Sequence, residues 1–568
     1  MKTADLSKQF DAIVIGSGIS GGWAAKELCE NGMKTLILER GRKVEHIKDY
    51  TTAHDDPWDQ KYRGRNTPAE MEAQYKQARS GYVHRPQHAH WFVNDHEHPY
   101  NEVKRFDWIR GYHLGGRSIT WGRQSYRLSE MDFEANKKEG IAVDWPVRYN
   151  DIKKWYDHVE QFIGVSGLNI GLEQLPDGKF LPPMDLNRVE KLLQENIANH
   201  HADCVLTPGR TAHLTDPTKE FKHRTPCQFR DRCMRGCPFG GYFSSLSSTL
   251  PAAQETGNLD IQVNAIVHSI IYDEETGKAS GVRVIDAETH EEYTVRARVI
   301  FCCASAVAST AILLNSKSAR FPNGLGNDSG ELGHNMMDHH LGIGATAQVE
   351  GFGEDYYKGR RPSGFYIPRF QNLSEHSEKV EFIRGYGYQG SASRENWTRG
   401  IRELSIGKGL KEELTAPGPW RIGMMAFGEY LPDHDNKMYL DYEKTDKWGL
   451  PTVTFDVELK ANELKMREDM RNRSEKILRD AGFKNVKTFE NEIGPGIGIH
   501  EMGTARMGHD PKTSVLNKYN QVHSVPNVFV TDGAFMTSSA CQNPSLTYMA
   551  FSARAANYAA EQIKNKRL

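Results

Sequence analysis

The chain of 568 residues carries almost no excess of either charge: 72 Lys and Arg stand against 74 Asp and Glu, a formal net charge of −2. That excludes the strong basic surplus of a general nucleic-acid binder. No apolar run reaches 18 residues, so no transmembrane helix is expected. The opening MKTADLSKQFDAIVIG holds neither an apolar stretch before a cleavage site nor a twin arginine. Alone, the chain is expected to be cytoplasmic; a folded partner with its own export signal would carry it to the periplasm. Eight cysteines are too few for a disulfide scaffold at this length. Repeats and low-complexity linkers are missing. His84, His88, His90, His96 and His98 lack any fixed metal-ligand spacing and read as solvated surface.

Glycine is in mild surplus, 51 residues against an average near 7%, and part of it is concentrated in turns. Phe10–Ile15 reads as a buried strand, Trp23–Asn31 as a helix and Thr35–Glu39 as a second strand. Between the first strand and the helix, Gly16, Gly18 and Gly21 form G-x-G-x-x-G. The first glycine permits the tight turn, the second lets the backbone approach a pyrophosphate, and the third lets the helix pack on the strand. The helix N-terminus then faces the phosphates. Glu39 closes the second strand and can accept from ribose hydroxyls. A dinucleotide site follows, with FAD and NAD both open at this point.

Further along, residues 42–105 are polar and weakly periodic, an excursion over one face. Residues 150–200 are mainly helical. Residues 260–314 return to strands and a helix. Residues 341–457 alternate in the manner of an antiparallel sheet, residues 458–481 form a charged helix, and the chain ends in a helix over 544–564. The expected class is α/β, with α+β character overall: a Rossmann-like dinucleotide domain and a substrate domain, interleaved. The first is assembled from 1–165 (with the 42–105 excursion), 260–340 and 495–568; 166–259 is an insertion and 341–494 the substrate domain.

Cys227, Cys233 and Cys237, followed by Pro238, give C-x5-C-x3-C in a turn-rich stretch. Closely spaced soft thiolates suit metal coordination, and C-x3-C-P also ends bacterial ferredoxin runs. Three readings stand: an iron–sulfur cluster, most simply a three-iron cluster on three thiolates; a zinc site with His223 as fourth ligand; or a disulfide beside a thiol. Lys222, Arg224, Arg230, Arg232 and Arg235 against Asp231 read either as a rim steering an acidic electron-transfer partner or as a solvated loop. Cys29, Cys204, Cys302, Cys303 and Cys541 read as packing residues.

The N-terminal fingerprint, LGGRSITWG at 114–122, ASAVASTAILLNS at 304–316, GHNMMDHH at 333–340, and HEMGTARMG at 500–508 with TDGA and QNP downstream together resemble the glucose–methanol–choline family of flavoprotein oxidoreductases. The resemblance spans nearly the whole chain. It implies FAD as cofactor, with Asp532 and Ala534 against the flavin end and Gly115, Gly116 and Ser118 on its other side. It implies His500 as the base that takes a hydroxyl proton and Asn543 as the group that orients the substrate oxygen. Neutral imidazole suits that task near pH 7, and the hydride goes to the flavin. A sugar-oxidising member of the family attaches its flavin through a histidine just after the G-G-x-S element; alignment places Thr120 there, so the FAD is expected to be non-covalent.

Within the family, bacterial multi-subunit sugar dehydrogenases are similar in carrying a three-iron cluster. This resemblance implies a dehydrogenase that sends electrons through the cluster to an external acceptor such as cytochrome c, with a small escort subunit, no nucleic acid and no membrane insertion. Tyr356, Tyr357, Tyr366, Tyr386, Tyr388, Gln389, Glu429 and Tyr430 read as walls for a polyhydroxylated ring or, in part, as residues that build the sheet. The expected substrate is a sugar or glycoside, nearest to the glucoside 3-dehydrogenases and their 3-keto products. Other sugar or polyol dehydrogenases, an oxygen-using oxidase, and a non-catalytic flavoprotein are the alternatives.

Overall fold

The computed structural model describes residues 9–80, 84–355, 363–395, 406–491 and 494–568. Phe10–Ile15 is a strand, Ile19–Glu30 a helix and Thr35–Leu38 a strand. The helix therefore starts four residues before the periodicity indicates, because its first turn is the glycine turn itself. Gly21 carries the reason: an added Cβ would collide with the Gly16 carbonyl oxygen. No side chain other than hydrogen lets helix and strand approach so closely.

The first sheet is built around five parallel strands in the order Val525–Val530, Glu292–Cys302, Phe10–Ile15, Thr35–Leu38, Leu259–Gln262. Its strands thus come from three separate stretches of chain. An antiparallel arm, Ala265–Asp273 and Lys278–Asp286, continues from Glu292–Cys302. The central strand is wholly buried at Ala12, Ile13 and Val14, as a parallel sheet covered on both faces requires. The helix Ser545–Lys564 packs against Ile19–Glu30. Its buried positions include Ala553, Ala556 and Ala560, small residues that let the two helices approach.

The second sheet has six strands in the order Lys484–Glu490, Ile343–Val349, Trp420–Gly428, Tyr386–Arg394, Phe365–Ile367, Thr207–Pro208. Every pairing is antiparallel. The helices Arg188–His200 and Ala461–Asp480 cover one face. Alternation along Tyr386–Arg394 sends Tyr386 and Tyr388 into that covered core. There the Tyr386 hydroxyl donates to Asp469 (2.7 Å) and the Tyr388 hydroxyl to the Met470 carbonyl (2.6 Å).

Several expectations change here. Tyr366, Tyr386, Tyr388 and Tyr430 are fully buried packing residues, and Glu429 is a buried partner of Arg384 (2.6 Å). None of the five lines the cavity between the two sheets; Gln389 alone of the described candidates does. Tyr356 and Tyr357 lie outside the described residues. The 42–105 histidines are not uniformly solvated. His84 and His88 are buried, and His84 bonds Asn66 and Gln74. The basic residues of 221–237 do not form a free rim. Arg224 is buried on the carbonyls of Gly240 and Ile163, Arg230 and Arg235 bond carbonyls at 52–55, Arg232 pairs with Asp56 and Lys222 with Glu255. The contacts of Arg230, Arg232 and Arg235 fasten the cysteine loop to residues 52–56. Cys29, Cys204, Cys302, Cys303 and Cys541 are buried, as packing residues should be.

The glycine turn separates packing from binding. Gly21→Ala should lower the melting temperature of the flavin-free protein, since overpacking costs about 1–3 kcal/mol or more. Gly18, beside which an added Cβ meets nothing within 4 Å, should accept Ala with an unchanged flavin-free melting temperature but reduced FAD retention. Thermal scans with and without added FAD check both.

Candidate active site

A cavity of about 500 Å³ runs between the two sheets, within the roughly 300–1,000 Å³ of small-molecule sites. Gly16, Gly18, Glu39 and, set against Gly18, Gly116 line one part of it; Ser118, His500, Asp532 and Asn543 also line it. Gly21, Gly115 and Ala534 stand behind this lining, as supports rather than walls. Thr120 also lines the cavity.

One hydrogen-bond chain joins the two glycine turns. The Glu39 carboxylate accepts from the Ser17 amide (3.1 Å), the Ser17 hydroxyl (2.5 Å) and the Gly41 amide (2.8 Å). The Gly115 amide in turn donates to the Ser17 hydroxyl oxygen (2.9 Å). Gly115 and Gly116 both have positive φ, +85° and +50°, a backbone that favours glycine. Ser118 closes the second turn by donating to the Gly115 carbonyl (2.5 Å).

His500 is held from two sides. Its backbone amide donates to Asp338 Oδ1 (3.0 Å), whose other oxygen accepts from the Gly498 amide (2.9 Å). Burial, together with Glu501, pushes the Asp338 carboxyl up to about 7. The His500 ring meets His339, Nδ1 to Nδ1, at 2.8 Å. His339 Nε2 lies 2.8 Å from the Ala540 carbonyl, which can only accept, so Nε2 carries the hydrogen. Burial pushes His339 down to about 4, so the ring is neutral and its Nδ1 accepts. His500 Nδ1 must then carry a hydrogen, which leaves the lone pair on His500 Nε2. Burial, His339 and the Arg117 guanidinium hold the His500 imidazole well below its ordinary range. The ring is a neutral base in a fixed tautomer.

Asn543 is oriented in the same way. Gln389 Nε2 donates to Asn543 Oδ1 at 2.5 Å, so the Asn543 amide nitrogen is free to donate to a substrate oxygen. The bond crosses from the antiparallel sheet to the segment that enters the C-terminal helix. Opposite, Arg117 bonds Glu501 (3.1 Å), and Leu341, Met425 and Phe427 supply an apolar wall. Glu501 Oε1, the Tyr548 hydroxyl and Arg40 Nε are buried without a protein partner, and all three residues line the cavity. Each such atom costs about 1–3 kcal/mol; a long polar ligand reaching all three would relieve it.

GMC oxidoreductase profiles match residues 10–341 and 432–552. The chain belongs to the GMC oxidoreductase family. It is 26% identical to 2-methyl-1,2-propanediol dehydrogenase from Mycolicibacterium austroafricanum over 98% of this chain and 96% of that protein. It is likewise 26% identical to the fructose dehydrogenase large subunit from Gluconobacter japonicus, over 98% of each. Among solved structures, pyridoxine 4-oxidase from Mesorbium loti superposes with a TM-score of 0.58 at 15% identity, covering 97% of this chain and 99% of that one. This GMC oxidoreductase is therefore an enzyme of alcohol or sugar CH–OH donors, with FAD as the family's cofactor. The cavity fits FAD: open space beside Gly18, a buried acid at the end of the second strand, and unpartnered polar atoms in its lining.

Sequence reasoning missed His339, Asp338, Arg117 and Glu501, and it named Gln389 as a wall residue without its bond to Asn543. His339 and Asp338 sit inside GHNMMDHH, and Arg117 and Glu501 inside quoted motifs; only proximity assigns them work. In the flavin-loaded enzyme, His500→Ala should slow substrate-driven flavin reduction by about 10²–10⁴-fold, the usual worth of general-base catalysis, with FAD still bound. His339→Phe should slow it by a smaller factor, through loss of the tautomer lock. Anaerobic stopped-flow traces report both; an unchanged rate in His500→Ala would remove the assigned base.

Proposed function

We propose that this GMC oxidoreductase is a sugar or glycoside dehydrogenase that oxidises a secondary hydroxyl, in the first instance carbon 3 of glucosides. The observation that carries the chemistry is the His500–Asn543 pair lining one cavity with the ring tautomer and the amide both fixed. His500 Nε2 takes the hydroxyl proton, and the Asn543 amide holds the oxygen from which it leaves. Bound FAD supplies the hydride acceptor. Gln389 keeps the amide turned correctly, and the Leu341, Met425 and Phe427 wall shields that end from water and suits the apolar face of a ring. Relatives named for a diol and for fructose support a polyhydroxylated substrate. Thr120 in place of an attaching histidine supports non-covalent FAD: acid precipitation should leave a colourless pellet and a yellow supernatant.

The route out for electrons is assigned to an iron–sulfur cluster on Cys227, Cys233 and Cys237. Among the described residues no three His, Cys, Asp or Glu groups converge to hold a single metal ion. The zinc reading also loses His223, which bonds Glu255 (2.8 Å) on the surface. The donor set suits a larger anionic group. An added Cβ on Gly241 would lie 3.0 Å from Cys227 Cα and 3.6 Å from Cys237 Sγ, and all three cysteines are thiols. Buried Arg123 Nε and Arg224 Nη2 have no partner and lie close enough to the thiols to act on them electrostatically. Met234, beside Cys233, lines the flavin cavity. The Tyr242 hydroxyl lies 2.5 Å from the Ile119 carbonyl and 3.0 Å from that of Cys233, tying the cysteine loop to the flavin-facing turn. Such a cluster supplies one-electron transfer to an acceptor such as cytochrome c.

Two of the relatives are named as the large subunit of fructose dehydrogenase and the flavoprotein of gluconate 2-dehydrogenase. They support a small escort subunit that would take the protein to the periplasm. Among the described residues no helix is long and apolar enough to cross a membrane. Anaerobic mixing with glucosides, free sugars and polyols should bleach the flavin, most strongly with glucosides, and NMR of the product should show a 3-keto sugar. Turnover should need an added dye or cytochrome. Hydrogen peroxide formed at a comparable rate in air would make the protein an oxidase instead.

A further inference from the structure

One buried side chain beside the cysteine loop has no task in the chemistry above. His213 is 1% exposed. Its Nδ1 has no hydrogen-bond partner, and its Nε2 lies 3.9 Å from Cys233 Sγ. Buried polar atoms are nearly always paired, so a ring with sulfur as its polar neighbour calls for an explanation. The ring is also firmly placed. The His213 amide donates to the Thr211 carbonyl (2.8 Å) and the next residue, Leu214, accepts from the Cys227 amide (2.8 Å). Across an isolated bridge stands Tyr242, whose ring centre is 5.8 Å from that of His213 and whose hydroxyl reaches the Cys233 carbonyl. His213 is thus fastened to the same backbone that carries two of the three cysteines.

Arg123 and Arg224 lie close enough to act on the ring electrostatically. An imidazole N–H can be given to sulfur. Two terminal ligands on different irons of one cluster stand farther apart than an N–H···S contact, so 3.9 Å suits a donor to a ligand sulfur better than a fourth ligand.

We propose that His213 donates its Nε2 hydrogen to the sulfur of Cys233 in the cluster-loaded protein, and so raises the cluster's reduction potential as a positioning residue outside the three-thiolate set. The proposal rests on the cluster assigned above. Hydrogen bonds to cluster sulfurs stabilise the more negative, reduced state, and partners one layer out orient the ligands themselves.

The test uses the purified full-length wild type, His213→Leu and His213→Gln. Iron and acid-labile sulfide are counted, the oxidised proteins are examined by electron paramagnetic resonance, and the cluster midpoint is measured by redox titration. Bound flavin and its bleaching by substrate report folding in each variant. Expected is a wild type with about three irons and a paramagnetic oxidised cluster. His213→Leu should keep both but shift its midpoint to more negative values, and His213→Gln, which retains an N–H donor, should recover part of the shift. An unchanged midpoint in His213→Leu would overturn the donor role. So would a silent four-iron wild type that becomes a three-iron species in the variant, or a flavin-containing His213→Leu protein that has lost its iron, since both make His213 a ligand. A wild type without iron or sulfide would remove the cluster itself, and the proposal with it.

Discussion

The site depends first on one hydroxyl. Ser17 donates to Glu39 and accepts from the Gly115 amide, so a single side chain binds the first glycine turn, the end of the second strand and the second glycine turn. Those three pieces are far apart in the chain. Without that bridge the phosphate-facing and flavin-facing walls would be positioned independently. With it, the buried Glu39 carboxylate has three fixed donors and still presents lone pairs to the cavity. Ser245 extends the scheme. Its amide donates to Ser118 (3.0 Å) and its hydroxyl to the Gly18 carbonyl (2.9 Å), carrying the same rigidity towards the cysteine loop.

The proposed catalytic pair is governed from outside its own segment. His500 takes its proton placement from His339, and Asn543 takes its amide orientation from Gln389. Neither controlling residue is next in sequence to the group it controls. The two controls differ in kind. His339 sits among fully buried neighbours and hands on the acceptor nature of a backbone carbonyl. Gln389 belongs to the antiparallel sheet and lines the cavity, so it senses both the sheet's position and what occupies the space.

Local pattern reveals some parts of this protein well and others poorly. The Phe10–Ile15 strand, the glycine turn and the helices over 461–480 and 545–564 were legible because short-range rules determine them. His500 is picked out by the family resemblance of HEMGTARMG, not by a short-range rule. The tyrosines of 366–430 were harder: alternation shows that one face is buried but not which of two sheet faces meets the cavity. Residue 388 faces the helices and residue 389 the cavity, a distinction of one step. The histidines near 84–98 and the arginines near the cysteines look solvated in composition. His84 is held by Asn66 and Gln74, and Arg230, Arg232 and Arg235 by residues 52–56, contacts that no local pattern records. His339, Gln389 and His213 matter through partners between 20 and 201 positions away, and spacing cannot reveal them.

Tyr242 sets a separation as well as a contact. Its hydroxyl lies between the Ile119 and Cys233 carbonyls, so the flavin-facing turn and the cysteine loop share a hinge-free link. Residues 389 and 425–427, by contrast, belong to the other sheet. The wall that the second sheet gives the cavity and the span between the turn and the cysteine loop are thereby built from separate elements.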